Sequence, residues 1–271
     1  MPFLLMRYPE GKAKAVTLSY DDNHKFNLHL MEIIDRYGVK CTFNVNSGSI
    51  VKNADGTSET CLSPADLQTM LDHGHEIAVH GAAHVAPGMT PLANAVLDDV
   101  RCREELEKLL GRIIRGMAYP NSGIRRFYNG ATYNEVRNYL KAMGVVYARS
   151  LGADNDRFEL PDDWYNWCAT AHHGNGNIFS YIDKFLALDP SRGYPNSQYA
   201  RLFYVWGHSF EFENSGNWDR LEEICQKLGG HDDIWYATNI EIYDYVEAFR
   251  AMQTSMDNRI FYNPTCTTLF F

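Results

Sequence analysis

The chain has 271 residues, 45 % apolar and 22 % charged, with only 10 prolines. That balance supports a sizeable buried core and excludes disordered, collagen-like and low-complexity classes. Lys and Arg total 25 against 34 Asp and Glu, and the net charge of −9 opposes a phosphate backbone or an anionic lipid surface. Neither a nucleic-acid nor a membrane partner is therefore expected. No run of about 18 apolar residues occurs, and the apolar opening over 1–6 meets a polar stretch too soon for a signal-peptide core, so a cytoplasmic location is expected. The six cysteines show no CxxC spacing and read as mostly buried thiols of a reducing compartment.

In chain order, β-prone runs alternate with helix-periodic stretches. Strands are predicted over 15–20, 39–46, 76–80, 114–119, 145–149, 202–207 and 234–237, and helices over 28–37, 64–73, 91–111, 134–143, 178–188, 221–228 and 240–252. Ser63 before Pro64 is an N-cap followed by a proline at the first helical position, Thr90-Pro91 repeats the device, and Gly111 closes the third helix. Residues 50–60 read as loop, as does a Trp- and Asp-rich stretch after the fifth strand. Seven βα units without an internal linker predict an α/β fold in one domain over 1–271. The expected form is a deformed seven-stranded (β/α) barrel with its core at 15–250. An extension at 253–271 either packs on the barrel or pairs with another subunit. An open doubly wound sheet is the alternative, but no GxGxxG or GxxxxGK[ST] turn follows a strand, so its nucleotide-binding forms lack support.

In a parallel βα barrel, reactive groups gather at the C-terminal strand ends. Strand one ends in Tyr20-Asp21-Asp22, strand three in His80 with His84 behind it, strand four in Tyr119-Pro120-Asn121, and strand six in Gly207-His208. The i, i+4 spacing of His80 and His84 places two imidazoles on one helical face, and an Asp from another strand completes a two-His, one-carboxylate metal site. Gly81 stands where HExxH metalloproteases carry Glu, so a base must come from elsewhere. Asp21 and Asp22 can divide that labour, one as ligand and one as base. Asp-Asp after a strand is also an ordinary turn and helix cap. His24, His29, His73, His75 and His231 read as surface or locally bonded groups.

The strings TLSYDD (17–22), KCTFNVN (40–46), GHEIAVHGAAH (74–84), AYP (118–120) and WGH (206–208) resemble the ordered motifs of the polysaccharide deacetylases, the NodB-like domains of carbohydrate esterase family 4. The resemblance spans residues 15–248. It implies metal-dependent removal of an acetyl group, usually from an N-acetylated sugar. It further implies Asp22, His80 and His84 as metal ligands, Asp21 as the base, His208 as the acid, and the backbone N–H of Asn121 as donor to the oxyanion, with Tyr119 beside it. The ion implied is divalent, zinc by ligand type, with Co²⁺ or Mn²⁺ as alternatives.

Two departures stand out. Ala118 occupies the place of the family's Arg that orients the catalytic Asp, and Arg149, ending strand five, is the expected substitute. The fourth motif is ambiguous between Asp163-Trp164 and the stretch 170–173, which leaves Trp164 and His172 as candidate substrate contacts. Glu211 or Glu213 is the candidate partner of His208. The substrate expected is an acetylated oligo- or polysaccharide, most simply the N-acetyl amide of an amino sugar. Hydrolysis of O-acetyl esters or of a small non-sugar amide or imide uses the same parts, and a silent carbohydrate-binding barrel is the alternative of another class.

Overall fold

Strand β1 (Lys14–Asp21) is buried along its whole length, and its alternation sets the architecture. Val16, Leu18 and Tyr20 join one apolar cluster with Leu30, Ile34, Leu221 and Ile224 of the helices outside the sheet. Thr17, Ser19 and Asp21 have the opposite parity and face the polar interior of a curled sheet, because successive side chains of a strand point to opposite faces. The structure, a computed structural model, describes residues 4–50, 60–152, 154–190 and 198–271. The predicted loop over 50–60 thus falls mostly on residues 51–59, outside the described residues.

The remaining strands are β2 (Cys41–Val45), β3 (Glu76–Val79), β4 (Gly116–Ala118), β5 (Tyr147–Ser150), β6 (Trp167–Cys168), β7 (Ala171–His172), β8 (Arg201–His208) and β9 (Ile234–Tyr236). They pair in parallel in the order β6-β5-β4-β3-β2-β1-β8-β7, with β9 on the first half of β1. The helices are α1 (Asn27–Arg36), α2 (Pro64–Asp72), α3 (Leu92–Leu110), α4 (Tyr133–Ala142), α5 (Ile178–Leu186), α6 (Ser209–Ser215), α7 (Trp218–Leu228) and α8 (Asn239–Ala251). This parallel sheet curled into a half-barrel with flanking helices is the NodB-like α/β barrel that the sequence predicts.

The differences have local causes. All seven predicted strands form, but the sheet has nine, because β6 and β7 lie in the stretch read as loop. Trp167 and Cys168 pair with Arg149 and Ser150 of β5, whereas Ala171 and His172 pair with Val205 and Trp206 of β8. Only Ala169 and Thr170 separate the two outer members, so this one segment draws the sheet's ends together. Two-residue strands carry no readable period. Strand four begins at Gly116 rather than Ile114, whose N–H is taken by the Glu107 carboxylate (3.0 Å). The Ser63 cap forms a capping box with Asp66, but Thr90 caps nothing: Pro91 is the N-cap residue of α3, and the Thr90 carbonyl accepts instead from Asn129 Nδ2. The extension forms a short exposed hairpin, β10 (Gln253–Thr254) with β11 (Phe261–Tyr262), then returns so that the Phe270 carbonyl accepts from the Arg7 N–H (2.8 Å) and the Phe270 N–H donates to the Tyr245 hydroxyl at 3.0 Å. No described helix is long and apolar enough to cross a membrane.

β9 leaves β1 at Val16 and β2 joins it at Leu18, and α8 begins at this split. Its first N–H groups donate to the Thr42 hydroxyl (Asn239, 3.0 Å) and to Glu76 Oε2 (Ile240, 2.9 Å). A carboxylate at a helix N-terminus is favoured by the peptide dipoles. Glu76 also accepts from the hydroxyls of Thr42 (2.8 Å) and Tyr147 (2.7 Å). Burial nevertheless dominates and raises its carboxyl to about 7. The folded chain therefore holds more protons than the unfolded one between the ordinary glutamate value and pH 7, and stability falls as pH rises through that window. Thermal unfolding should show a loss of up to about 3 kcal/mol between pH 5 and 8 that is much reduced in Glu76→Gln; parallel pH curves for the two proteins would count against it.

Candidate active site at the barrel mouth

The interior parity of β1 carries Thr17, Ser19 and Asp21 upward, and the parallel registers set Asp21 beside His208 of β8 and Asn44 of β2. Asp21 is 2 % exposed. Its Oδ2 accepts from Arg149 Nη2 and its Oδ1 from Asn44 Nδ2 at 2.9 Å. Arg149 is equally buried and lies with its guanidinium 4.6 Å from the Trp206 ring centre. Burial alone pushes the Asp21 carboxyl upward, but the charges of Arg149, His80 and His208 outweigh it and hold the group below the ordinary aspartate value. The structure thus places Arg149, the cation expected from the end of strand five, directly against Asp21.

His80, His84 and Asp22 converge beside this pair. Asp22 Oδ1 lies 3.7 Å from His80 Nε2 and 3.5 Å from His84 Nε2. The two imidazoles do not share a helical face, as their spacing suggested. Residues 80–84 form a bend in which Gly81 (φ 70°) and His84 (φ 58°) adopt left-handed backbone, and α3 supplies the missing acceptors. The Asp98 carbonyl accepts from the Ala82 N–H (3.3 Å) and its Oδ1 from the Ala83 N–H (2.8 Å). A Cβ on Gly81 would meet Asp98 Oδ2 at 2.6 Å. Asp22 (φ 66°) is left-handed as well, the kind of backbone strain that concentrates at functional sites.

A second group, His172, His208 and Glu211, also brings metal-type donors together. Tautomers separate the two groups. His80 Nδ1 faces the Ala118 carbonyl at 2.8 Å and must donate there, which leaves Nε2 as a bare, buried lone pair without a hydrogen-bond partner among the described residues. That is the orientation a metal-ligating histidine needs. His172 Nδ1 instead accepts from the Gly174 N–H (3.0 Å), so its proton sits on Nε2 and is donated to Glu211 Oε2 at 2.9 Å. In the first group His80 Nε2 and the Asp22 carboxylate fit a divalent cation, while His84 Nδ1 faces the Asn121 amide nitrogen at 3.2 Å, so His84 joins them only in the tautomer that keeps a lone pair toward Asp22. The second is a hydrogen-bonded cluster around one carboxylate.

His208 points between the groups, with Nε2 3.9 Å from Asp22 Oδ2 and Nδ1 3.3 Å from Glu211 Oε1. Burial lowers its pKa, but Glu211 and Asp21, followed by Asp22, more than reverse this and raise it above the ordinary histidine value. Of the two glutamates considered, Glu211 is its partner; Glu213 accepts from Trp218 Nε1 (2.8 Å).

Other expected residues separate. Asn121 (φ 50°) turns its side chain to the His84 carbonyl (2.8 Å), and its backbone N–H has no partner among the described residues. Tyr119 and Trp164 are not brought to the mouth, which corrects both as substrate contacts. Tyr119 is 1 % exposed and donates inward to the Tyr165 carbonyl. Trp164 packs on Trp167 and Tyr243 and donates to Glu247 of α8. Asp163 is occupied by the Tyr133 hydroxyl and the Tyr165 N–H. His172 stays at the site through Glu211. His73 and His75 share Asp35 away from the mouth.

A cavity of about 590 Å³ opens beside the metal-type cluster, lined by Asp22, His24, Asn46, Ala83, His84 and Phe210 among others. His24 reads in sequence as an ordinary surface histidine, yet it stacks on Phe26 (4.6 Å) and meets Phe210 at 5.8 Å. Antiparallel pairing of His24 with Cys61 holds it there, a long-range contact with no local signal.

A parallel half-barrel with carboxylates and imidazoles gathered at its mouth is the architecture of the NodB-like hydrolases. The chain belongs to the polysaccharide deacetylase family, whose model matches residues 8–148, just over half its length. It is thereby a hydrolase of non-peptide carbon–nitrogen bonds with an acetylated carbohydrate as substrate. No curated protein sequence matches it significantly. Among solved structures it is similar to a Mycobacterium smegmatis protein assigned as a polysaccharide deacetylase (TM-score 0.61, 19 % identity, 92 % of this chain and 96 % of that one). It is also similar to the peptidoglycan deacetylase PdaC of Bacillus subtilis (TM-score 0.52, 17 % identity, 88 % and 93 %). A third similar fold is the catalytic domain of peptidoglycan N-acetylglucosamine deacetylase from Eubacterium rectale (TM-score 0.53, 16 % identity, 88 % and 93 %). At these identities the likeness is one of fold.

The bend at residues 80–84 can be tested on its own. Gly81→Ala should cost about 1–3 kcal/mol in urea unfolding, since a left-handed backbone and the Asp98 contact both oppose a side chain there. A cost below about 0.5 kcal/mol, the usual bound for an indifferent surface change, would mean the bend does not need glycine.

Proposed function

We propose that the protein removes the acetyl group from the N-acetyl amide of an amino sugar, with Asp21 as base, His208 as acid and a divalent cation held by Asp22, His80 and His84. One observation carries the reading: across a single mouth, the surroundings push a carboxyl down and an imidazole up. Arg149 contacts Asp21 and favours its ionised form, while Glu211 Oε1 faces His208 Nδ1 and, with the two aspartates, favours its protonated form. Opposed shifts in neighbouring titratable groups are the mark of a base and an acid working together.

A cation bound by the three ligands supplies Lewis-acid activation of the acetyl carbonyl and of water. The donor set favours zinc and also accommodates Co²⁺ or Mn²⁺. Asp21 accepts the proton of the attacking water, and Arg149 and Asn44 fix the direction of its carboxylate. The N–H of Asn121, without a partner among the described residues, is available to the oxyanion that develops as the carbonyl becomes tetrahedral. His208 Nε2 then gives its proton to the nitrogen as the carbon–nitrogen bond breaks, so the product leaves as an amine. The cavity beside the cluster accommodates sugar units, and His24 and Phe210 offer ring faces to pack on the sugar.

Acetate release from chitooligosaccharides tests the whole reading. Activity should vanish on chelation and return with Zn²⁺, and Asp21→Asn should lower turnover by about 10²–10⁴-fold. Chelator-insensitive turnover, or an Asp21→Asn enzyme at full rate, would refute it. Arg149→Met removes the charge that opposes burial at Asp21, so Asp21 should titrate at a higher pH and the acid limb of the rate profile should move up with it. Unchanged turnover and profile with intact metal content would remove Arg149 from the site's machinery.

A further inference from the structure

Glu211 accepts hydrogen bonds from three imidazoles, which is more than is needed to hold His208. Its Oε2 takes the Nε2–H of His172 (2.9 Å) and of His173 (3.1 Å), while its Oε1 faces His208 Nδ1. We propose that His173 is a positioning residue for the proton donor: it aims the Glu211 carboxylate at His208 and so governs protonation of the leaving nitrogen.

His173 is immobilised on every side. It is 4 % exposed and packs in a three-ring cluster with Phe212 (4.0 Å between centres) and Tyr20 (5.7 Å, nearly parallel), which are 6.2 Å from each other. Its N–H donates to the Trp206 carbonyl (2.9 Å), and its own carbonyl accepts from Arg220 Nε (2.8 Å). Gly207 on β8 leaves the space for the ring, since a Cβ there would overlap His173 Nδ1. The same Nδ1 is buried without a hydrogen-bond partner among the described residues, so the single proton of the neutral ring belongs on Nε2, toward Glu211. Burial lowers the ring's pKa to about 4, which keeps it neutral under working conditions.

Neutrality is the useful property. A lysine or arginine would orient Glu211 equally well but cancel its charge, whereas a neutral N–H donor fixes the carboxylate and leaves the negative charge to act on His208. His172, with its proton also on Nε2, adds a second donor to the same oxygen. The step governed is one proton transfer: His208 Nε2–H passes to the nitrogen as the carbon–nitrogen bond breaks. His208 ends neutral with its Nδ1–H on Glu211.

This inference rests on His208 as the acid, and leaving-group chemistry separates the two. An amine must be protonated to depart, while the phenolate of 4-nitrophenyl acetate departs unaided. The measurement is the ratio of turnover on an N-acetylglucosamine oligomer to turnover on 4-nitrophenyl acetate, in wild type, His208→Gln, His173→Phe, His173→Gln and Glu211→Gln. His173→Phe keeps the stacked ring without the donor. It should lower the ratio about 10–100-fold through kcat with KM unchanged, a fraction of what a full general acid contributes. His173→Gln, which restores an N–H donor, should recover most of it. Equal loss on both substrates in His173→Phe, or no recovery in His173→Gln, overturns the proposal. If His173→Phe does not fold, Glu211→Gln decides in its place, because a proportional loss on both substrates there has the same meaning. If His208→Gln itself lowers both rates alike, it is the acid reading that fails.

Discussion

The buried ion pair between Asp21 and Arg149 is the constraint to which the interior of this barrel is fitted. Two charges withdrawn from water at the centre of a sheet cost several kcal/mol each, and their mutual attraction repays that cost only when the remaining polar atoms are also held. The sequence around them supplies part of that holding, while Arg149 Nε and Nη1 stay buried without a hydrogen-bond partner among the described residues. Asn44 occupies the second oxygen of Asp21, Trp206 lies against the guanidinium, and the strand ends at His80 and His208 surround the carboxylate. Below the pair, Ser19, Thr17, Asn239 and Tyr204 continue as a polar interior, with Asn239 donating to the Tyr204 hydroxyl and accepting from Thr17. An apolar filling would have served stability better. The polar one fixes the direction of the Asp21 carboxylate.

The same logic separates two clusters that composition alone makes equivalent. Each contains two histidines and a carboxylate, and each lies at the mouth. What distinguishes them is the atom behind the ring: a carbonyl behind His80, an N–H behind His172. A single peptide orientation thus leaves one imidazole with a lone pair to offer and the other with a proton. It accounts for a metal-type site and a hydrogen-bonded site side by side without mutual competition.

Much of this was legible in the sequence. Period-two alternation and strand-end placement identify Asp21, Asp22, His80 and His208, since a strand fixes the direction of its last residue. Arg149 is legible as the strand-end cation able to replace an absent one. Features that depend on tertiary contacts are not. His80 and His84 have helical spacing, but Asp98, fifteen residues beyond Ala83, supplies the bonds that make the segment a bend. Trp164 and Tyr119 have residue types suited to a sugar site, yet both turn away from the mouth because carbonyl and carboxylate partners elsewhere claim their polar atoms. α6, which delivers Glu211, is seven residues long and too short to show a period.

The segment from Trp167 to His172 draws the edges of the sheet together through two-residue pairings on either side. It also supplies His172 and, one residue on, His173. Local openings in proteins follow the least supported hydrogen bonds, so this seam has an opening free energy of its own, separate from that of the whole fold. The segment that joins the two edges of the sheet therefore also carries two of the donors to Glu211. The arrangement of imidazoles around Glu211 thus depends on a short stretch of sheet with few hydrogen bonds of its own.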